Sequence, residues 1–197
     1  MDSVLAWDSW LFQQINGFVG TFPLFDRFIA TMVNEYFITV TMSLILLALW
    51  FVGGSAEGRL LNQKAVVYAL LAEILANGIV KFSNLIYFRP RPFAAMPVKM
   101  LFYEPTDSSM PSNPAAVGFA FATGVWLVNR RAGVLLYALA ILLSFARVYS
   151  GVHYPLDVVS GALIGIIGGL VAVALGRQFL NPVIEWIIGL GRRIYLA

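Results

Sequence analysis

The chain has no cysteine and only one histidine in 197 residues. Without cysteine there is no disulfide, no thiolate metal site and no sulfur nucleophile. With a single histidine there is no histidine-cluster metal site either. Charge is also scarce: 12% of residues are charged, about half of what a soluble domain carries, while 60% are hydrophobic. This composition excludes an ordinary soluble domain and reads as an integral membrane protein. The net charge of +3 is modest, and its basic residues sit in short loops rather than one patch. That is a topology signal, not a nucleic-acid footprint. The first residues lack a basic stretch and a small-residue cleavage site, so no signal peptide is expected. Gly53-Gly54 and Gly168-Gly169 follow no strand pattern, which excludes a phosphate-loop nucleotide enzyme.

What is present is a series of apolar stretches. Residues 4–19 mix Trp7, Trp10, Leu11, Phe12 and Ile15 with Asp8, Ser9, Gln13, Gln14 and Asn16. This predicts an amphipathic helix at the membrane interface, with its tryptophans at headgroup level. Residues 25–33 suit a short interfacial or re-entrant piece. Spans are predicted over about residues 36–52, 65–88, 115–128, 132–149 and 155–175. Residues 179–196 carry Asn181, Pro182, Glu185, Arg192 and Arg193 and read as amphipathic rather than spanning. The expected fold is an all-α integral membrane bundle of about five to six transmembrane helices. It divides into an N-terminal interfacial segment (1–35), a membrane domain (36–176) and a C-terminal amphipathic or membrane-associated helix (177–197). Small residues at Gly161, Ala162, Gly165, Gly168 and Gly169 predict a helix that lets its neighbours approach closely.

The loops fall into two sets. One carries Arg59, Lys64, Arg130, Arg131, Arg177 and the tail arginines, and the positive-inside rule makes it cytoplasmic. The other holds residues 89–113 and 150–154. Its Arg89, Arg91 and Lys99 cluster beside the histidine and are assigned to chemistry, which places the active face outside. The alternative is that Arg89 and Arg91 are themselves topology determinants and the protein is inverted.

Three segments on that face carry the chemistry. Asn84 to Pro92 ends a helix at two prolines and sets Arg89 and Arg91 at the interface. Guanidiniums present a planar donor fork suited to phosphate oxygens, although an arginine there also snorkels without any function. Met110 to Ala116 places Ser112 or Asn113 as an N-cap and Pro114 as the first residue of a helix, whose free N–H groups suit an anion; it also reads simply as a helix start. Arg147 to Asp157 brings an Arg, the lone His153 and an Asp within eleven residues between two apolar stretches. Ionisable groups at such a place are costly, and function is the default explanation. Asp157 follows His153 by four residues, so on one helical face the two can hydrogen-bond, which would fix the tautomer and free the other ring nitrogen for attack. A polar helix end with an i, i+4 pair is the plain alternative.

Together these segments resemble the three signature motifs of the type 2 phosphatidic-acid phosphatase superfamily: Lys-x6-Arg-Pro, Pro-Ser-Gly-His and Ser-Arg-x5-His-x3-Asp. The stretches Tyr87 to Phe93 and Gly151 to Val158 are similar to those of small bacterial undecaprenyl-diphosphate phosphatases of the bacitracin-resistance type. The resemblance implies that Arg91 and Ser112 bind phosphate, that Arg147 clamps it, that His153 is the nucleophile of a phosphohistidine intermediate and that Asp157 orients it. Asn113, Arg89 and Lys81 are further candidates for phosphate binding. No metal or other cofactor is implied. Three positions depart from the pattern. Asn84 stands where the first-motif lysine belongs, with Lys81 one turn away. Ala146 replaces a serine. Pro114 replaces the histidine that is the family's general acid.

Two classes of function follow. The first is a lipid-diphosphate phosphatase of the bacterial cytoplasmic membrane, working on the extracytoplasmic side with a polyprenyl diphosphate as substrate. The second is a relative degenerate at these three positions, or deliberately inactivated, that binds a phospholipid headgroup or packs in a membrane complex. No nucleic-acid partner is expected, and self-association into a homo-oligomer stays open.

Overall fold

The computed structural model describes residues 2–193, and all of its regular structure is helical. The end of the expected 177–197 segment, residues 194–197, lies outside the described residues. The helices are α1 (Asp2–Gly17), α2 (Pro23–Met32), α3 (Glu35–Phe51), α4 (Ala56–Ile86), the single turn α5 (Pro92–Ala95), α6 (Asn113–Trp126), α7 (Arg130–Tyr149), α8 (Pro155–Leu175) and α9 (Asn181–Arg193). Their starts follow local chemistry. Asn34, Ser55 and Asn129 cap α3, α4 and α7, each side chain accepting a backbone N–H of the first turn. Pro155 opens α8 as its first residue.

Three helical stretches among the described residues are long and apolar enough to cross a membrane: Ala56–Ile86, Arg130–Tyr149 and Pro155–Gly191. The α2–α3 pair, bent by 54°, makes a fourth if it is one broken span. The protein is therefore a multi-pass membrane protein, with fewer full-length spans than the five to six expected. The shortfall lies mainly in α6. Its 14 residues reach only about 21 Å at 1.5 Å per residue, against a hydrocarbon core of about 30 Å. This helix is instead the centre of the bundle, packed between α4, α7 and α8, and its first turn forms part of the site. The last segment is not separate from α8. A π-helical turn over Gly176–Leu180 carries α8 into α9, whose Ile184 and Ile188 pack on Tyr68 and Val173.

The close approach of α8 to α6 has a specific cause. A Cβ at Gly161 would fall on the carbonyl oxygen of Ser112, and one at Gly165 on that of Ala116. Any side chain at Gly161 would thus push away the first turn of α6. The predicted small-residue face is the surface that seats the second motif against the third.

α1 lies with an unexpected face inward. Asp8, Phe12 and Asn16 are buried, while Trp7 and Trp10 are exposed. Polar groups turn inward here because each finds a partner. The Asn16 amide donates to the carbonyls of Lys99 and Tyr149 and accepts the Lys99 N–H. Asp8 reaches the site itself.

Candidate active site

His153 sits in the short turn between α7 and α8, where Gly151 takes a φ of +89°. A left-handed residue is needed there to reverse the chain, and glycine adopts it without strain. The imidazole is buried, with only 1% of its surface exposed, yet it lines a cavity of about 430 Å³. Ligand sites commonly fall between about 300 and 1,000 Å³. The cavity is walled by Arg91, Tyr103 and Asp107 from the 87–112 loop, Asn113, Pro114 and Val117 of α6, Arg147 of α7, and Tyr36, Thr39 and Val40 of α3. Tyr36 and Val40 of α3 are exposed, as are Tyr103, Asp107 and Asn113, so the cavity opens to the surroundings along α3 and the facing loop.

The ring's tautomer follows from its partner. Nδ1 lies 2.8 Å from the carbonyl oxygen of Ser109. A carbonyl only accepts, so Nδ1 carries the proton and Nε2 keeps its lone pair. Nε2 faces the Nη1 of Arg91 at 3.3 Å. The expected direct bond to Asp157 is not made: Oδ2 stands 3.7 Å from Nδ1, beyond hydrogen-bond range. Asp157 already has its full set of donors. Ser109 Oγ–H donates to Oδ2 at 2.5 Å, the Tyr154 N–H to the same oxygen at 2.8 Å, and Arg89 Nη1 to Oδ1 at 2.5 Å. Asp157 is therefore linked to His153 through Ser109, whose hydroxyl donates to the carboxylate and whose carbonyl accepts from the ring.

Burial pushes the His153 pKa below its ordinary 6.5; the Arg91 and Arg147 guanidiniums act the same way, and the Asp157 carboxylate opposes them. The neutral form is thus favoured in the fold. Its contribution to stability is complete above pH 6.5 and is lost as the pH falls through the depressed value. At neutral pH the imidazole is uncharged.

Arg91 is well ordered for an anion. Its Nε donates to the Asp107 carbonyl at 3.0 Å, Nη1 to the Val152 carbonyl at 2.9 Å and Nη2 to the Asp107 carboxylate at 2.8 Å. Arg147 is buried on the last turn of α7, its guanidinium 5.0 Å from the centre of the Phe102 ring. Both line the cavity with His153. The other expected phosphate ligands are placed differently. Arg89 does not line the cavity; its fork joins Asp157 to Asp8, the latter at 2.7 Å, and its guanidinium stacks on Tyr154 at 4.1 Å. Lys81 is exposed on α4 and is absent from the cavity wall. Lys99, read beside the histidine, instead caps the end of α1 through the carbonyls of Gly17 and Val19. Ser112 is fully buried behind the wall. Its N–H donates to the Asp157 carbonyl at 2.9 Å, and its hydroxyl has no hydrogen-bond partner among the described residues. Asn113 and Pro114 do face the cavity. Of the three departures from the motifs, Pro114 is the one that lines it. Among the described residues no three carboxylate or imidazole groups converge as a metal-ligand set.

Ser109, Asp8 and Asp107 are the partners that sequence reasoning missed. Ser109 and Asp107 lie in a long loop without periodicity, and Asp8 reads as headgroup-facing until its burial is seen.

The chain matches the PAP2 superfamily over residues 65–180. It is 32% identical over 187 residues to undecaprenyl-diphosphatase BcrC of Bacillus subtilis, covering 95% of this chain and 91% of that protein. The fold is similar to that of Aquifex aeolicus LpxE, with a TM-score of 0.66 and 31% identity over 83% of this chain and 93% of LpxE. A transmembrane PAP2-type phosphatidylglycerolphosphate phosphatase from Bacillus subtilis shares the fold at 19% identity, with a TM-score of 0.64 over 91% of this chain and 89% of the other.

Proposed function

We propose that this chain, which belongs to the PAP2 superfamily, is a lipid phosphatase that takes the terminal phosphate from a polyprenyl diphosphate. The carrying observation is the tautomer of His153. With Nδ1–H held by the Ser109 carbonyl, Nε2 presents its lone pair beside the Arg91 guanidinium, in a cavity that Arg147 also lines. In the first step an Nε2–P bond forms and the bridging O–P bond breaks, and the electron pair leaves on the lipid monophosphate. In the second step water attacks phosphorus, the N–P bond breaks towards Nε2, and inorganic phosphate leaves with the water's oxygen. The two guanidiniums stabilise the charge on the transferring group. The open α3 wall at Tyr36 and Val40 lets the lipid tail stay in the bilayer while its head enters.

Pro114 selects among substrates. A phosphate monoester expels an alkoxide, which needs a proton, and proline has none to give. A lipid diphosphate expels a phosphate group that is already a stable anion. The helix ends remote from the site, the starts of α4 and α7 and the turn after α8, carry Arg59, Lys64, Arg130, Arg131 and Arg177. By the positive-inside rule that end is cytoplasmic, and the reaction runs on the extracytoplasmic face of a bacterial cytoplasmic membrane.

The retained arginines also support a second reading, a relative that holds a phospholipid headgroup without turning it over, because the family's acid is missing at Pro114. Initial rates on a polyprenyl diphosphate and on the matching monophosphate, measured in detergent, separate the readings. The diphosphate is expected to be cleaved at least ~10² faster, the lower end of what a general acid contributes. Equal rates would remove the diphosphate assignment, and no turnover of either would favour the binding protein.

A further inference from the structure

Asp8 is a carboxylate with no exposed surface on α1, a helix whose Trp7 and Trp10 are exposed. Both of its oxygens are used at the site. Oδ2 accepts from Arg89 Nη2 at 2.7 Å, and Oδ1 accepts the Leu156 N–H in the first turn of α8 at 2.9 Å. Arg89 is thus shared between two buried carboxylates, Asp8 and Asp157. An Arg89–Asp157 pair alone would be neutral. With Asp8 the set carries one net negative charge, and it lies behind His153 on the side away from the cavity.

That charge has a use in the reaction proposed above. As Nε2 gives its electrons to phosphorus, positive charge develops on the imidazole ring. The ring already faces Arg91 and Arg147, and Arg91 is partly offset by Asp107. Tyr154 also packs against Arg89. A fixed negative charge behind the ring favours the charged state and does not compete with the substrate for the guanidiniums in front of it. It reaches the ring through Arg89, Asp157 and Ser109.

We propose that Asp8 is a positioning residue for His153, and that α1 delivers it as the fixed negative end of an Asp8–Arg89–Asp157 chain. Its role in rate rests on the phosphatase reading; its effect on the imidazole does not. Because Trp7 and Trp10 flank Asp8 on the exposed face of α1, the same helix that meets the bilayer holds this charge in place.

The lone histidine makes the test direct. The full chain, labelled with ¹⁵N-histidine and placed in lipid nanodiscs, gives one imidazole to titrate. Asp8→Asn keeps the size and one acceptor oxygen but removes the charge and turns the second acceptor into a donor. It is expected to lower the His153 midpoint by about half a unit to one unit, as one charge lost from a partly screened interior would. Asp8→Glu should restore most of the native midpoint. On a polyprenyl diphosphate, Asp8→Asn should lower kcat about tenfold and change KM by less than about twofold. A folded Asp8→Asn protein with the native midpoint would overturn the inference, because a purely structural role predicts that result. If Asp8→Asn does not fold, Arg89→Gln provides the opposite arm: it leaves both carboxylates and should raise the midpoint, and an unmoved midpoint there also overturns the inference. A shifted midpoint in a chain that releases no phosphate would support the positioning role and remove the phosphatase reading instead.

Discussion

Replacing Pro114 with histidine is expected to raise hydrolysis of a lipid monophosphate by about 10²–10⁴-fold, the range a general acid supplies. The diphosphate rate should rise by no more than about tenfold, since its leaving group gains little from a proton. The substitution should be well tolerated. Pro114 lies in the first turn of α6, where a backbone N–H has no helical partner, so histidine restores a donor without breaking a helix bond. The side chain would enter the cavity that already holds His153, Arg91 and Arg147. Initial rates of both variants on both substrates give the result. A gain of equal size on the two substrates would mean that the missing proton is not what sets the preference.

Arg91→Ala is expected to lower kcat on the diphosphate by about 10²–10³-fold, the usual cost of removing one preorganised donor from a developing charge. Arg91 is held by the Asp107 carbonyl, the Val152 carbonyl and the Asp107 carboxylate, and its Nη1 faces Nε2 of His153. Its place before the reaction is therefore fixed, and little reorganisation is left to offset the loss. Arg91→Lys keeps the charge but loses the fork, and should recover only part of the rate. Turnover of Arg91→Ala within about threefold of the native rate would remove Arg91 from the transition state.

The sequence carried the local parts of this account. Capping residues and apolar runs placed α7 and α8 within a few residues of their observed ends. The Arg147, His153 and Asp157 spacing pointed to residues that the fold brings together, and the glycines of α8 marked the helix face on which α6 rests. What depended on contacts far apart in the chain was not legible. Asp157 comes within 3.7 Å of His153, but the histidine lies in the turn before α8 rather than on it, and its Nδ1 partner is Ser109, 44 residues earlier. Arg89 and Arg91 are chemically alike two residues apart, and only the fold turns one to the cavity and the other to the two carboxylates. The polar positions of α1 looked solvent-facing because their partners, Arg89, Lys99 and Tyr149, lie at least 80 residues downstream. The short α6 also resists prediction by length, since a helix wrapped by others need not span the bilayer by itself.

The central claim is that His153 is the nucleophile of a lipid phosphatase. Phosphate release from a polyprenyl diphosphate by the full chain and by its His153→Ala variant, both in detergent, tests it most directly. The account predicts steady release by the native chain and none above the no-enzyme background for the variant, with both proteins melting as folded helical species. Native release no higher than that of His153→Ala, or equal release by the two, would contradict it.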